Sequence, residues 1–87
     1  MVEIPFKFRN FVSADGRIKR LPVKLGKKIE LADWAYTLFE ADRVYSEREV
    51  NDTIGEYIVD FALIRRMLVE AGKLERDKYG YEYRKVS

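Results

Sequence analysis

The sequence predicts a small α+β domain in which three helices precede a carboxy-terminal β-hairpin. Three features of residues 58–86 carry that expectation. Ile64, Met67, Leu68 and Ala71 recur at three- and four-residue spacing, which marks one apolar helical face. Asp60 can cap the start of this helix, and Gly72 suits the left-handed position just past its end. Beyond it, Leu74, Tyr81 and Tyr83 fit a hairpin whose turn is Asp77-Lys78-Tyr79-Gly80.

The remaining elements follow in chain order. Phe6, Phe8 and Phe11 or Val12 predict a short strand or a docked extended arm. Ala14-Asp15-Gly16-Arg17 is a turn signal with Ile18 continuing beyond it. Leu21-Pro22 interrupts any regular element, since proline lacks an amide donor and restricts its predecessor. Gly26-Lys27-Lys28 leads into a first helix expected from about Lys28 to Glu40, buried through Leu31, Trp34, Ala35, Leu38 and Phe39. Trp34 reads as a core anchor rather than a base-stacking platform. Asp42-Arg43 is a loop, and Val44-Tyr45 has the character of a short strand. Ser46-Glu47-Arg48-Glu49 spells a capping box. Val50, Ile54 and Tyr57 or Ile58 then mark the buried face of a second helix. Gly55 inside it costs up to about 1 kcal/mol relative to alanine, and either permits close approach or ends the helix early. Ile58-Val59 would form the turn before the third helix. The expectation is one domain over residues 1–87, with an arm at 1–26 and a helical core and hairpin at 27–87.

Composition narrows the chemistry. Cysteine and histidine are both absent, which removes disulfides, thiolate metal sites and the commonest general base. No nucleophile–base pair, dinucleotide fingerprint, P-loop or cation-loop spacing is present. The carboxylate pairs Glu47/Glu49 and Asp52/Glu56 read as a solvated helix face rather than acid–base machinery. The expectation is a protein that is not an enzyme and needs neither cofactor nor metal. With no apolar run long enough for a membrane span and no signal-peptide pattern, a reducing cytoplasm is the expected compartment.

The net charge of +2 conceals segregation: residues 1–28 carry +6, residues 29–60 carry −7 and residues 61–87 carry +3. A polyanion would meet the two ends rather than the middle, unless the ends pair with that middle. A helix bearing Arg65 and Arg66 opposite its apolar face, followed by a basic hairpin, is how a winged helix-turn-helix ends. In such a domain this helix reads the major groove and the hairpin touches backbone or minor groove. The candidate DNA-binding residues are therefore Arg65, Arg66, Lys73, Arg76, Lys78, Tyr79 and Arg84, with Lys85 following on the returning strand. Lys19, Arg20, Lys24, Lys27 and Lys28 form a second basic cluster, of which Lys19, Arg20, Lys27 and Lys28 are candidate phosphate contacts.

Each candidate has a structural alternative. Arg65 or Arg66 can fold back onto Glu49, Asp52 or Asp60 as an internal tie. The alternating hairpin charges also resist edge-to-edge sheet pairing. Tyr81 and Tyr83 are expected to pack on the third helix rather than stack on bases.

Two resemblances rest on these residues. Leu63-Ile64-Arg65-Arg66-Met67-Leu68-Val69-Glu70-Ala71-Gly72-Lys73-Leu74-Glu75-Arg76, with Gly80-Tyr81-Glu82-Tyr83, is similar to the recognition helix and wing of bacterial winged-helix repressors. Lys73 stands where a second apolar residue is usual. Over nearly its whole length the chain more closely resembles the bacterial domain of unknown function 2087. That likeness is carried by Asp15-Gly16-Arg17, Leu21-Pro22-x-Lys24, Tyr45-x-Glu47-x-Glu49-Val50-Asn51, Asp60, Leu63-x-Arg65-Arg66-x-Leu68-Val69 and Leu74-x-Arg76 with Gly80-x-x-Tyr83. It implies a regulator-associated domain with no catalytic residues to carry over. The expected function is duplex-DNA binding in transcriptional regulation. The alternative is a non-catalytic protein-interaction or dimerisation module, pairing with itself or with a partner regulator. A sensor holding a small ligand beneath the amino-terminal arm ranks third.

Overall fold

The computed structural model describes residues 2–86, so Met1 and Ser87, the ends of the expected 1–87 domain, lie outside the described residues. The segment expected as a strand or extended arm is a 3-10 helix, Phe6–Phe11. Pro5, at φ −55°, starts it without a side-chain cap. Phe8 and Phe11 stand three residues apart and so share one face of a three-residue-per-turn helix. Phe8 is fully buried and Phe11 partly so. This helix adds a fourth to the three expected.

The turn at Ser13–Arg17 returns the chain, with Gly16 at φ +83°. Val12 bridges Ile18 antiparallel, and Ile18 bridges Ile58 in parallel. The Ile18 amide donates to the Tyr57 carbonyl at 2.8 Å, and the Val59 amide donates to the Ile18 carbonyl at 2.9 Å. Ile18 and Ile58 are both fully buried. The arm is thus part of the core.

Helix α1 runs Leu25–Tyr36, earlier at both ends than the expected Lys28–Glu40. Gly26-Lys27-Lys28 lies within its first turn rather than ahead of it. At the far end the Thr37 hydroxyl turns back to the Trp34 carbonyl, 2.6 Å away, and competes with continued helix. Phe39 still reaches the core, from the following turn, and meets Tyr45 edge-on at 5.1 Å. Trp34 is half-buried, edge-on to Tyr57 at 5.4 Å.

Strand β1 is Val44–Tyr45, and helix α2 is Glu47–Gly55, opened by the full Ser46/Glu49 capping box. Gly55 resolves both sequence alternatives at once. It is the last residue of α2, and a Cβ there would stand 3.2 Å from the Phe61 ring. Gly55→Val should therefore destabilise the fold by about 1–3 kcal/mol through overpacking against Phe61, read as a lower midpoint in urea unfolding.

Helix α3, Phe61–Glu70, is capped by the Asp60 carboxylate and ends in a Schellman motif. Gly72 takes φ +74°, its amide reaches the Val69 carbonyl, and the Lys73 amide reaches that of Leu68. Ile64 and Leu68 are buried and Met67 partly so, but Ala71 is the exposed C-cap rather than a buried contact. Strands β2, Leu74–Arg76, and β3, Tyr83–Lys85, close an antiparallel sheet of order β1-β3-β2. Tyr83 is 1% exposed as expected, whereas Tyr81 is 72% exposed. The inward–outward alternation starts only where the ladder does, so Tyr81, still in the loop, escapes the core.

Candidate functional site

The sequence separates Glu47, Asn51, Arg65, Arg76 and Tyr83, and the fold brings them to one place where α2, α3 and the hairpin meet. The register Arg76↔Tyr83 puts those two side chains on the same face of the sheet. The Tyr83 hydroxyl donates to a Glu47 carboxylate oxygen at 2.8 Å. Arg65 Nη1 donates to Asn51 Oδ1 at 2.5 Å, joining α3 to α2. Burial and the adjacent Glu47 raise the Tyr83 phenol above its ordinary value, opposed by the Arg65 and Arg76 guanidiniums. Tyr83 is therefore a neutral hydrogen-bond donor at physiological pH. The cluster holds a carboxylate, an amide, a phenol and two guanidiniums, with neither histidine nor cysteine in the chain.

The internal tie anticipated for one of the two arginines falls on Arg65, but through Asn51 rather than Glu49, Asp52 or Asp60. Arg66 is exposed on the side of α3 away from buried Ile64 and Leu68. Lys73 is drawn aside: its ammonium sits 3.2 Å from the Asp33 carboxylate and 5.3 Å from the centroid of the Tyr36 ring, linking the hairpin to α1. Lys85 does similar work, donating to the Phe39 carbonyl at 3.0 Å. Arg84 is exposed on the outer face of the sheet, opposite Val44 and Glu75. Lys78 and Tyr79 occupy the hairpin tip.

Of the second basic group, Lys19 and Arg20 are exposed and leave the Ile18–Ile58 bridge beside the turn that opens α3. Lys27 and Lys28 instead lie in the first turn of α1, with the Lys27 ammonium 5.8 Å from the Phe8 ring. Arg66, Arg76, Lys78, Arg84, Lys19, Arg20, Lys27 and Lys28 make no ion pair among the described residues. The acidic middle behaves differently. Exposed Glu47, Asp52 and Glu56 line α2, relieved chiefly by Arg48, 4.0 Å from Asp52. The exposed acids thus concentrate on α2, whereas unpaired cations lie on α3 and the hairpin.

Sequence reasoning did not anticipate the Arg17 contact. Asp15 accepts from the Arg17 amide at 3.0 Å and from the Ser13 hydroxyl at 2.5 Å, which shapes the turn. Arg17 Nε then donates to the Gly55 carbonyl at 2.9 Å and so caps the carboxy-terminal end of α2. The Asp15-Gly16-Arg17 triplet is the only sequence signal for it. These same bonds hold the Asp15 carboxyl below its ordinary value.

Glu49 is held below the ordinary value of 4.5 by the Ser46 amide and by Arg43, 3.0 Å away. A depressed carboxyl stabilises the fold above its unfolded value, and that contribution disappears as pH falls through the folded one. The thermal midpoint of the protein should therefore drop as pH falls below about 4.5, and more steeply than in Glu49→Gln. Parallel melts from acid to neutral pH read the difference; identical slopes would contradict it.

Among the described residues no helix is long and apolar enough to cross a membrane, and no group of acidic side chains clusters to hold a metal. A family model described as an uncharacterized protein conserved in bacteria (DUF2087) matches residues 17–85. No curated protein and no solved structure matches the chain.

Proposed function

The chain belongs to the bacterial DUF2087 family, and for this member we propose a non-catalytic winged-helix domain that binds duplex DNA in transcriptional regulation. The observation that carries the reading is the order α1-β1-α2-α3-β2-β3 with sheet order β1-β3-β2, combined with Arg66, Arg76, Lys78 and Arg84 on α3 and the hairpin making no ion pair among the described residues. In winged-helix geometry α3 is the helix offered to the major groove and the β2–β3 loop is the wing. Arg66 is the side chain on α3 free to reach guanine or phosphate. Arg76, Lys78, Tyr79 and Arg84 supply the wing, and Lys19 and Arg20 add charge beside the start of α3. Arg65 acts as a positioning residue through Asn51, and Lys73 as a tie to α1.

The test separates those roles. Arg66→Ala with Lys78→Ala should weaken binding to a labelled duplex about tenfold or more at low salt, with the circular dichroism spectrum unchanged. Arg65→Ala should instead lower stability by about 1–3 kcal/mol, because Asn51 loses its charged partner. Unchanged duplex affinity in the double variant would overturn the assignment.

A second reading is supported by a different surface. Val23 is 92% exposed, Leu25 66% and Ile29 45%, and Leu25 and Ile29 line a cleft of about 460 Å³ with Met67 and Ala71. Apolar exposure of this kind suits a homodimer or a partner regulator. Sedimentation equilibrium at rising concentration distinguishes it, since Leu25→Glu should abolish any self-association without touching the basic face.

A further inference from the structure

Tyr79 and Tyr81 form an exposed aromatic pair at the hairpin tip, of which the duplex-contact reading uses Tyr79 alone. Their side chains belong to residues 68% and 72% exposed. The ring centroids stand 6.0 Å apart with planes inclined by 28°, a stacked pair. The Lys78 ammonium lies 5.1 Å from the centroid of the Tyr79 ring.

The loop that presents them is fixed by its own hydrogen bonds. The Asp77 carboxylate accepts from the Tyr81 amide at 2.7 Å and the Glu82 amide at 3.3 Å. The Gly80 amide closes onto the Asp77 carbonyl at 3.1 Å, with Gly80 at φ +74°. Two large rings are thus held out from the core on a braced turn, beside a cation. Tyr83, two residues on, shows what a tyrosine does when the fold needs it: it is buried and hydrogen-bonded.

We infer that the hairpin tip is a stacking site for unpaired nucleobases, so that the preferred nucleic acid carries an accessible base face next to its duplex. The inference rests on the DNA-binding reading and deepens it. An exposed ring pair with one ammonium over it matches a partner that supplies planar faces and phosphates together. Stacking of this kind is tolerant of sequence, because every base has a π-face. In an intact duplex the bases cover one another, so the tip can reach only backbone and groove edges there. A frayed end, an overhang or an opened bubble provides the missing face.

The experiment compares two labelled probes by fluorescence anisotropy: a blunt duplex, and the same duplex with a short thymidine overhang. The wild-type chain should prefer the overhang by about tenfold or more, as expected for one stacked base. Tyr81→Ser, which breaks the ring pair but lies outside the proposed duplex contacts, should erase most of that preference and leave blunt-duplex affinity unchanged. Because Tyr81 is 72% exposed, circular dichroism should show the fold intact. Tyrosine fluorescence of the wild type should also be quenched more strongly on binding the overhang than on binding the blunt duplex. Equal affinity for both probes, or a preference that survives Tyr81→Ser, overturns the inference and leaves the duplex reading standing. No binding to either probe overturns both.

Discussion

Phe8→Ala should destabilise the domain by about 3–5 kcal/mol, the range for removing a buried phenylalanine. At this chain length that lowers the thermal midpoint by more than about 10 °C. Phe8 is fully buried among Ile18, Leu31, Val50, Ile58 and the rest of the core cluster, in the segment expected as a short strand or a docked extended arm. Phe6→Ala is the internal control: Phe6 is 76% exposed and packs mainly under Arg9, so its loss should stay within about 0.5 kcal/mol. Thermal melts of the two variants, followed by circular dichroism, give the comparison. Equal midpoints would mean that the 3-10 helix contributes nothing to the core.

Replacing Arg66, Arg76, Lys78 and Arg84 together by alanine should have the largest effect on binding. Each phosphate neutralised by a cation releases condensed counterions, so log K falls with log salt by about 0.9 per contact on duplex DNA. If all four touch phosphate, the variant should lose roughly three to four units of that slope and bind weakly at low salt. The matched control is Arg48→Ala. Arg48 is also an exposed arginine, but it sits 4.0 Å from Asp52 on the acidic α2 and should leave the slope unchanged. A slope equally reduced by both would point to bulk charge rather than to an oriented face.

Local patterns in the sequence account for most of the elements. The capping box at Ser46 and Glu49, the cap at Asp60, the left-handed Gly72 and the hairpin turn through Gly80 each depend on residues a few positions apart. Such signals survive folding because their chemistry is local. The less legible features depend on partners far along the chain. Nothing within a few residues of Phe6–Phe11 distinguishes a strand from a 3-10 helix; the choice is settled by where Phe8 must go. The α1 limits shift because Thr37 bonds back to Trp34, while Phe39 reaches the core without being helical.

The site divides in the same way. Arg66, Arg76, Lys78 and Arg84 are exposed, as an outward helix face and a basic hairpin suggest. Arg65 and Lys73 look equivalent to them in the sequence. Their partners, Asn51 and Asp33, lie 14 and 40 positions away and come within reach only after α1, α2 and α3 pack. Tyr81 and Tyr83 are likewise alike in pattern. The end of the β-ladder between them puts one in water and the other in the core.

The central claim is that this domain presents a duplex-binding face along α3 and the hairpin. Its most direct test is an anisotropy titration of the purified chain with a labelled random duplex at low and moderate salt. The predicted result is binding in the micromolar range or tighter at low salt that weakens steeply as salt rises. No binding at low salt, from a chain whose circular dichroism shows it folded, would contradict the claim and leave the exposed apolar surface of α1 as its working face.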